Sequence, residues 1–368
     1  MSGSKGVLAF FVLFLLASAA VAQAQLPGQT PGQSRPQAGQ TPPSPPSQAA
    51  KETTLAMVKA RGHLLCGVNG ELPGFSKADS KGQWSGFDVD FCRALAAAAL
   101  DDAARVKFVV ATASDRFELL QRGAIDVLVR NTTITLRRAT GDSGLRYAAI
   151  TFIDGQAFAV TKQSGITTLG GLANGRICMT RNTTYEQNTV DWFAGRRLTM
   201  TPVLFDRTEP MIEAFLGGSC DAITQQSTGL ATALIQTGRA ADFLVLPEIV
   251  SKEPHGPWVR AGDDQWLDIV RWTHNARLEA EELGITSRNV DAMKASRLLG
   301  IRRLLGLEPG NGQQLGLDEE WAYRAIKQTG NYGESYERFF GEGSPLRFAH
   351  TVNALWTKGG TMYPLPMR

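Results

Sequence analysis

A two-lobed α/β fold, with parallel-sheet lobes joined by a two-strand hinge and completed by a helical C-terminal extension, is what this sequence predicts. Three observations carry the expectation. From about residue 53, strand-like and helix-like stretches alternate, which implies parallel strands covered by helices. The alternation runs twice, and ELLQRGAIDVLVRN, ending at Asn131, is echoed by AFLGGSCDAITQQ, ending at Gln226, with helix, glycine, aspartate and strand at matching offsets. Two stretches punctuated by Gly and Pro, FIDGQAFAV from Phe152 and KEPHGPWVR from Lys252, stand where a chain would cross between lobes and back.

Taken in order, residues 1–24 hold one cation, Lys5, an apolar run from Val7 to Leu16, and Ala22-Gln23-Ala24, the small-x-small pattern of a cleaved secretory signal peptide. The apolar run is short for a bilayer span. Residues 25–52 are rich in Pro, Gln, Gly and Ser, too poor in apolar surface to offset their ordering entropy, and read as a disordered tether. The rest of the 368 residues, with 43% hydrophobic content overall, suffices for a sizeable core. A net charge of +3 gives no reason to expect nucleic acid or an acidic membrane surface as partner.

Thr54–Arg61 reads as a helix leading to a strand at His63–Val68, followed by the turn NGELPGF. GFDVDFCRALAAAAL has helical spacing, and Asp88 and Asp90 are read as first-turn charges favoured by the helix dipole rather than as catalytic acids. A strand at Val106–Val110 and a helix at Ala113–Gln121, capped by Asp115 and stopped by Gly123, complete the approach to the strand beginning at Ile125. The second lobe repeats the plan: strand Arg176–Thr180, a helix whose Thr183 and Glu186 have capping-box spacing, strand Met200–Phe205, and helix Pro210–Leu216. Trp266–Leu283 is amphipathic, and the residues beyond it are mainly helical and complete the first lobe. The expected division is lobe 1 at 53–154 and 260–368, lobe 2 at 155–259, with crossings near 152–160 and 252–260.

Four cysteines in an exported chain imply two disulfides. Pairing within each lobe, Cys66 with Cys92 and Cys178 with Cys220, is the preferred of three connectivities; a nucleophilic cysteine is the rival reading. Their spacing matches no zinc pattern, and nothing calls for a metal or cofactor.

The stretch IDVLVRNTTITLRR, Ile125–Arg138, directs attention to function. A buried apolar strand ends in a hydroxyl-rich turn with arginines beyond, and ligands of open α/β sheets bind at such carboxyl ends. Thr135 can cap a short helix, and Arg138 offers a fork of donors suited to a carboxylate. The competing reading is an ordinary strand-to-helix turn with solvated arginines. Asn69 and Glu71 end one further strand, and Asn182 and Thr183 another, so a cleft between two polar rims is expected. Asp126 and Asp221 open their strands and read as structural.

The stretches GVNGELPGFS, GFDVDFCRA, DRFELLQRGAIDVLVRNTT, VLPEIVSKEPHGPWVRAGDDQW, GNYGESYER and NALWTKGG resemble the polar-amino-acid solute-binding proteins of bacterial ABC importers, most of all the general L-amino-acid-binding branch, from about Thr53 to the C-terminus. The resemblance implies the two-lobed periplasmic-binding-protein fold of type II. It also implies capture of an L-amino acid or related small carboxylate, and delivery to an inner-membrane permease and its ATPase by a periplasmic monomer without catalysis. Arg138 matches the family's carboxylate-gripping arginine, helped by the Thr133 hydroxyl and backbone around Asn131. The chain departs from the pattern at Asn182-Thr183, where Gly-Thr is usual, at Asn69, where some relatives carry Asp, and at Gln226, where many place an Asp against the ligand's ammonium. Either Glu71 or another acid then substitutes, or the ligand is not a plain α-amino acid. Two alternatives share the scaffold: a periplasmic dehydratase of cyclohexadienyl or arogenate type, with Glu71 or Glu186 as acid, and a sensor that has lost transport. The chain has no GxxxxGK[ST] motif for nucleotide hydrolysis.

Overall fold

The computed structural model describes residues 52–140 and 143–368. The expected leader and all but the last residue of the expected tether lie outside them.

Two five-stranded sheets organise the chain. In the first the order is Val106–Val110, Leu64–Val68, Val127–Leu128, Trp258–Arg260, Leu145–Tyr147; in the second it is Thr201–Phe205, Arg176–Thr180, Ala222–Gln226, Gln156–Thr161, Phe243–Val245. The expected parallel sheets are in fact mixed. In each, four strands run one way and one runs against them, Trp258–Arg260 in the first and Gln156–Thr161 in the second. Each reversed strand is the one by which the chain arrives from the other sheet. It follows no helical crossover within its own sheet, so the rule that makes βαβ units parallel does not bind it.

Between the sheets the chain crosses twice, as Phe152–Asp154 and Glu253–His255, which pair antiparallel with Glu253 opposite Asp154 and His255 opposite Phe152. Just beyond, Gly256 leaves no room for a side chain: a Cβ there would sit 1.8 Å from the Ala149 carbonyl oxygen.

Local chemistry explains most of the elements. Helix Thr54–Arg61 begins where the Thr53 hydroxyl accepts from Ala56 N (3.3 Å) and ends at Gly62, in the left-handed region at φ 75°. Helix Phe87–Leu100 is buried along nearly its whole length, wedged between strand Leu64–Val68 and helices Asp264–Glu282 and Trp321–Thr329. Cys66–Cys92 ties that helix to strand Leu64–Val68 (Cα–Cα 6.2 Å), and Cys178–Cys220 ties strand Arg176–Thr180 to the turn that leads into strand Ala222–Gln226 (5.7 Å), the connectivity preferred from sequence. The C-terminal helices pack on the first lobe. Tyr332–Phe339 among them has a complete capping box, Asn331 with Glu334.

Several local expectations change. The strand from Ile125 is short, Val127–Leu128, although Asp126 N and Val129 N still donate to Leu65 O and Gly67 O. NGELPGF is more than a turn, since Glu71–Leu72 opens a three-stranded meander with Ser76–Ala78 and Trp84–Ser85. Asp115 precedes its helix without capping it; its carboxylate accepts from Thr112 N at 2.6 Å instead. Thr183 likewise gives no cap, because its hydroxyl donates to Thr180 O (2.6 Å) while Glu186 accepts from Asn182 N (2.9 Å). Asp90 is held by Ser335 and Arg338 of the C-terminal extension, so it does more than complement a dipole.

Candidate functional site

The carboxyl ends of both sheets face one pocket. From the first lobe come Asn69, which follows strand Leu64–Val68; Arg116, which opens a helix; and Arg130, Asn131, Thr133 and Arg138, which follow strand Val127–Leu128. The second lobe contributes Thr180, Thr183, Thr184, Tyr185, Thr208 and Gln225. The atom-free space is ≈ 360 Å³, part of it open to solvent.

The lobes touch directly around it. Arg116 Nη2 donates to Asn182 O (3.1 Å), and the Asn182 amide reaches Ser114 Oγ (3.3 Å). At the rim, Glu71 accepts from Arg207 and from Thr208 N (3.2 Å).

Among the described residues, three guanidinium groups and no carboxylate line this pocket. Arg138 Nη1 donates to Thr133 O (2.9 Å), and its guanidinium lies 5.7 Å from the centre of the Phe117 ring, which Arg116 also covers at 4.7 Å. Thr135 caps the short helix that carries Arg138, accepting from Arg138 N as expected. Burial lowers the pKa of all three arginines, Arg130 to about 10, and mutual repulsion lowers Arg116 further. Nε of Arg116, Nε of Arg130 and Oε1 of Gln225 are buried without a hydrogen-bond partner.

Behind the pocket wall sits an acid that the sequence reading missed. Glu253, on the second crossing strand, is 1% exposed, and its carboxylate accepts from four side chains. Oε2 takes the Thr133 and Thr184 hydroxyls, the latter at 2.7 Å; Oε1 takes Ser251 Oγ (2.6 Å) and Asn188 Nδ2 (2.9 Å). A carboxylate accepts only, so both threonine protons are turned toward it and the hydroxyls keep lone pairs for the pocket. Their oxygens are 3.3 Å apart, one from each lobe. The one signal in the sequence was an acid set inside a connector otherwise read as plain punctuation.

The residues singled out from sequence are thus distributed unevenly. Arg138, Thr133, Asn131, Asn69 and Thr183 line the pocket. Asn182 stands beside it at φ 59°, bridging the lobes through its carbonyl and amide. Gln226 is fully buried behind the wall, where its Oε1 accepts from the Tyr185 hydroxyl, and its neighbour Gln225 faces the pocket instead. Glu71 borders an adjoining pocket with Asn69, Arg130 and Arg207. The four cysteines are spent in core disulfides away from the lining. Among the described residues no group of three or more His, Cys, Asp or Glu is placed to hold a metal ion.

The model of the bacterial extracellular solute-binding proteins, family 3, matches residues 64–342. The general L-amino acid-binding periplasmic protein AapJ of Rhizobium johnstonii is 46% identical over 324 residues, 88% of this chain and 95% of that protein. The glutamate/glutamine/aspartate/asparagine-binding protein BztA of Rhodobacter capsulatus is 45% identical over 321 residues, 87% and 95% of the two chains. A solved ABC transporter periplasmic binding protein from Brucella ovis, with glutathione bound, has a TM-score of 0.84 at 46% identity and covers 86% of this chain and 100% of that one.

Proposed function

This chain belongs to the bacterial extracellular solute-binding proteins of family 3, and from that premise we propose that it is the periplasmic binding component of an ABC importer, holding an L-amino acid or related small carboxylate between its lobes. The observation that carries the reading is the interlobe pocket, with a partly unengaged Arg138 on the first lobe and hydroxyls of both lobes turned lone-pair outward into it.

In this reading the ligand's carboxylate meets the Arg138 fork, and the first turn of helix Thr184–Ala194 offers amide donors from the opposite lobe. The ammonium meets the hydroxyl oxygens of Thr133 and Thr184. Glu253 lies one bond behind them and supplies the negative charge that Gln226 lacks. Asn69, Asn131 and Thr183 orient the remainder, while Asn182 holds the lobes together through Arg116 and Ser114.

A ligand that touches both walls stabilises only the closed arrangement, so binding shifts a hinge equilibrium about strands Phe152–Asp154 and Glu253–His255. The moving bodies are the two lobes on either side of that ribbon, and the expected boundary at 259 shifts to the crossing itself, because Trp258–Arg260 pairs within the first sheet. The closed form is what an inner-membrane permease and its ATPase would recognise. A leader at 1–24, cleaved on export, and a tether at 25–52 fit a monomer at work in the periplasm, where relatives of this chain are named as residing. Among the described residues no helix is long and apolar enough to cross a membrane.

Binding without catalysis is favoured over the dehydratase reading because relatives 45–46% identical to this chain are named as binding proteins. Titration calorimetry on ligand-stripped protein against the common L-amino acids and glutathione tests the proposal. Saturable heat with one or more of them is expected; silence from all, or turnover of a prephenate-like substrate, sinks it.

A further inference from the structure

Arg138 accounts for one carboxylate, yet the pocket carries more positive charge than one carboxylate can answer. Arg130 is 8% exposed and lines the same pocket, with its Nε unpartnered. Burial brings its pKa to about 10, so it keeps its charge at neutral pH. The acid beside it, Asp88, does not cancel that charge through a hydrogen bond: Asp88 Oδ2 is itself buried without a partner, and burial raises its pKa to about 7. Arg116, also in the lining, adds positive charge from the same side, and its carbonyl partners, Ala113 O and Asn182 O, are neutral. A desolvated guanidinium left without an anion is a large cost. A ligand with a single carboxylate, placed on Arg138, leaves that cost standing; a second carboxylate removes it.

We propose that Arg130 forms a second anion subsite, reinforced by the charge of Arg116, and that the pocket therefore selects solutes bearing two carboxylates over their monoamides. The inference rests on the reading of this pocket as the solute site and names the class of solute. The position equivalent to Arg130 in the other lobe is Gln225, whose unpartnered Oε1 leaves the amide free to turn toward a ligand but adds no charge. The charged donors are therefore gathered on the first lobe.

Calorimetry with L-glutamate against L-glutamine, and L-aspartate against L-asparagine, decides the matter. Each acid should bind at least about tenfold more tightly than its amide, the difference expected when a charge-assisted hydrogen bond replaces a neutral one. Arg130→Met should close that gap, and Arg130→Lys should keep part of it, with thermal unfolding of each variant reporting whether the fold is intact. Acid and amide binding equally to the natural protein, or a gap that survives in Arg130→Met, overturns the proposal. Should the Met variant not fold, the ratio in the natural protein and in Arg130→Lys still decides. Silence from all four ligands would instead count against the solute-site reading beneath it.

Discussion

In the first lobe Asp126 opens a strand and accepts from Leu65 N (2.7 Å) and from Arg61; in the second, Asp221 opens the corresponding strand and accepts from Arg176 N (2.7 Å) and from the Arg176 side chain. Counting from these shared bonds, the fourth residue beyond each aspartate is Arg130 or Gln225, and the fourth beyond each bonded amide is Asn69 or Thr180. All four line the pocket. The backbone plan thus delivers the same positions from both lobes to the same space. What differs is the charge placed on them: guanidinium groups come only from the first lobe, and the second brings hydroxyls and amides. The architecture decides where a ligand is met, and a few residues decide what ligand it is. A neutral second lobe also has little solvation to lose when it shuts over a ligand already held by its charged partner.

The largest consequence of this asymmetry should appear in binding. Arg138→Met removes the charged partner of a buried carboxylate and should weaken the best ligand by roughly 2–5 kcal/mol, whereas Thr183→Ala on the neutral wall should weaken it by about 1 kcal/mol. Calorimetry with the tightest ligand found checks both; comparable losses would mean that the lobes share recognition equally. Stability should treat the lobes alike. The disulfides close loops of 26 and 42 residues, so replacing Cys66 and Cys92 by Ala or Cys178 and Cys220 by Ala should cost about 3.5 and about 4 kcal/mol on the chain-entropy account. Denaturant unfolding of the two double variants measures that near-equality.

How far this organisation could be read from sequence depended on whether its cause was local. Thr133, Thr135 and Arg138 were legible because a strand end, a cap and a guanidinium lie within six residues of one another. That Gln225 rather than Gln226 enters the pocket was not legible. In the first lobe the strand stops at Leu128, and the bend after it turns both Arg130 and Asn131 inward. In the second, the strand runs on to Gln226, so alternation sends neighbouring side chains to opposite faces and only Gln225 reaches the pocket. Glu253 was hidden for another reason: it meets Thr133 and Thr184 across 120 and 69 residues of sequence, through a crossing strand that carried no motif. The mixed sheets obey the same logic, since their reversed strands are set by the crossings between lobes.

The paired aspartates allow a sharper test of what burial does to one hydrogen-bond pattern. The Asp126 side chain is 2% exposed and that of Asp221 is 41% exposed. Asp126→Ala leaves a buried amide and the Arg61 charge unanswered and should cost roughly 2–3 kcal/mol. Asp221→Ala exposes the equivalent groups to water and should cost a small fraction of that. Denaturant midpoints of the two variants, measured at neutral pH, check the ratio. Similar losses would mean that the bond itself, rather than its shielding, holds each strand pair.

The crossing ribbon joins the two lobes, and His255 gives it a distinct response to acid. Its ring stacks on Phe152 with centroids 6.3 Å apart, and neither ring nitrogen has a hydrogen-bond partner. Burial first, then the positive charges of Arg130 and Arg138, lowers its pKa to about 3, so the folded protein holds the ring neutral. Because the unfolded chain protonates near the ordinary value of 6.5, the stability tied to this ring is intact above that pH and drains away as pH falls toward 3. His274, lowered to about 3 mainly by burial, acts with the same sign, so the ribbon's share must be isolated by difference. Between pH 6.5 and 5.5 the natural protein should lose about 1 kcal/mol more stability than His255→Asn. Unfolding curves of the two proteins at both pH values measure that difference; parallel losses would show that the ribbon admits the proton without opening, and would leave the acid response to the lobes.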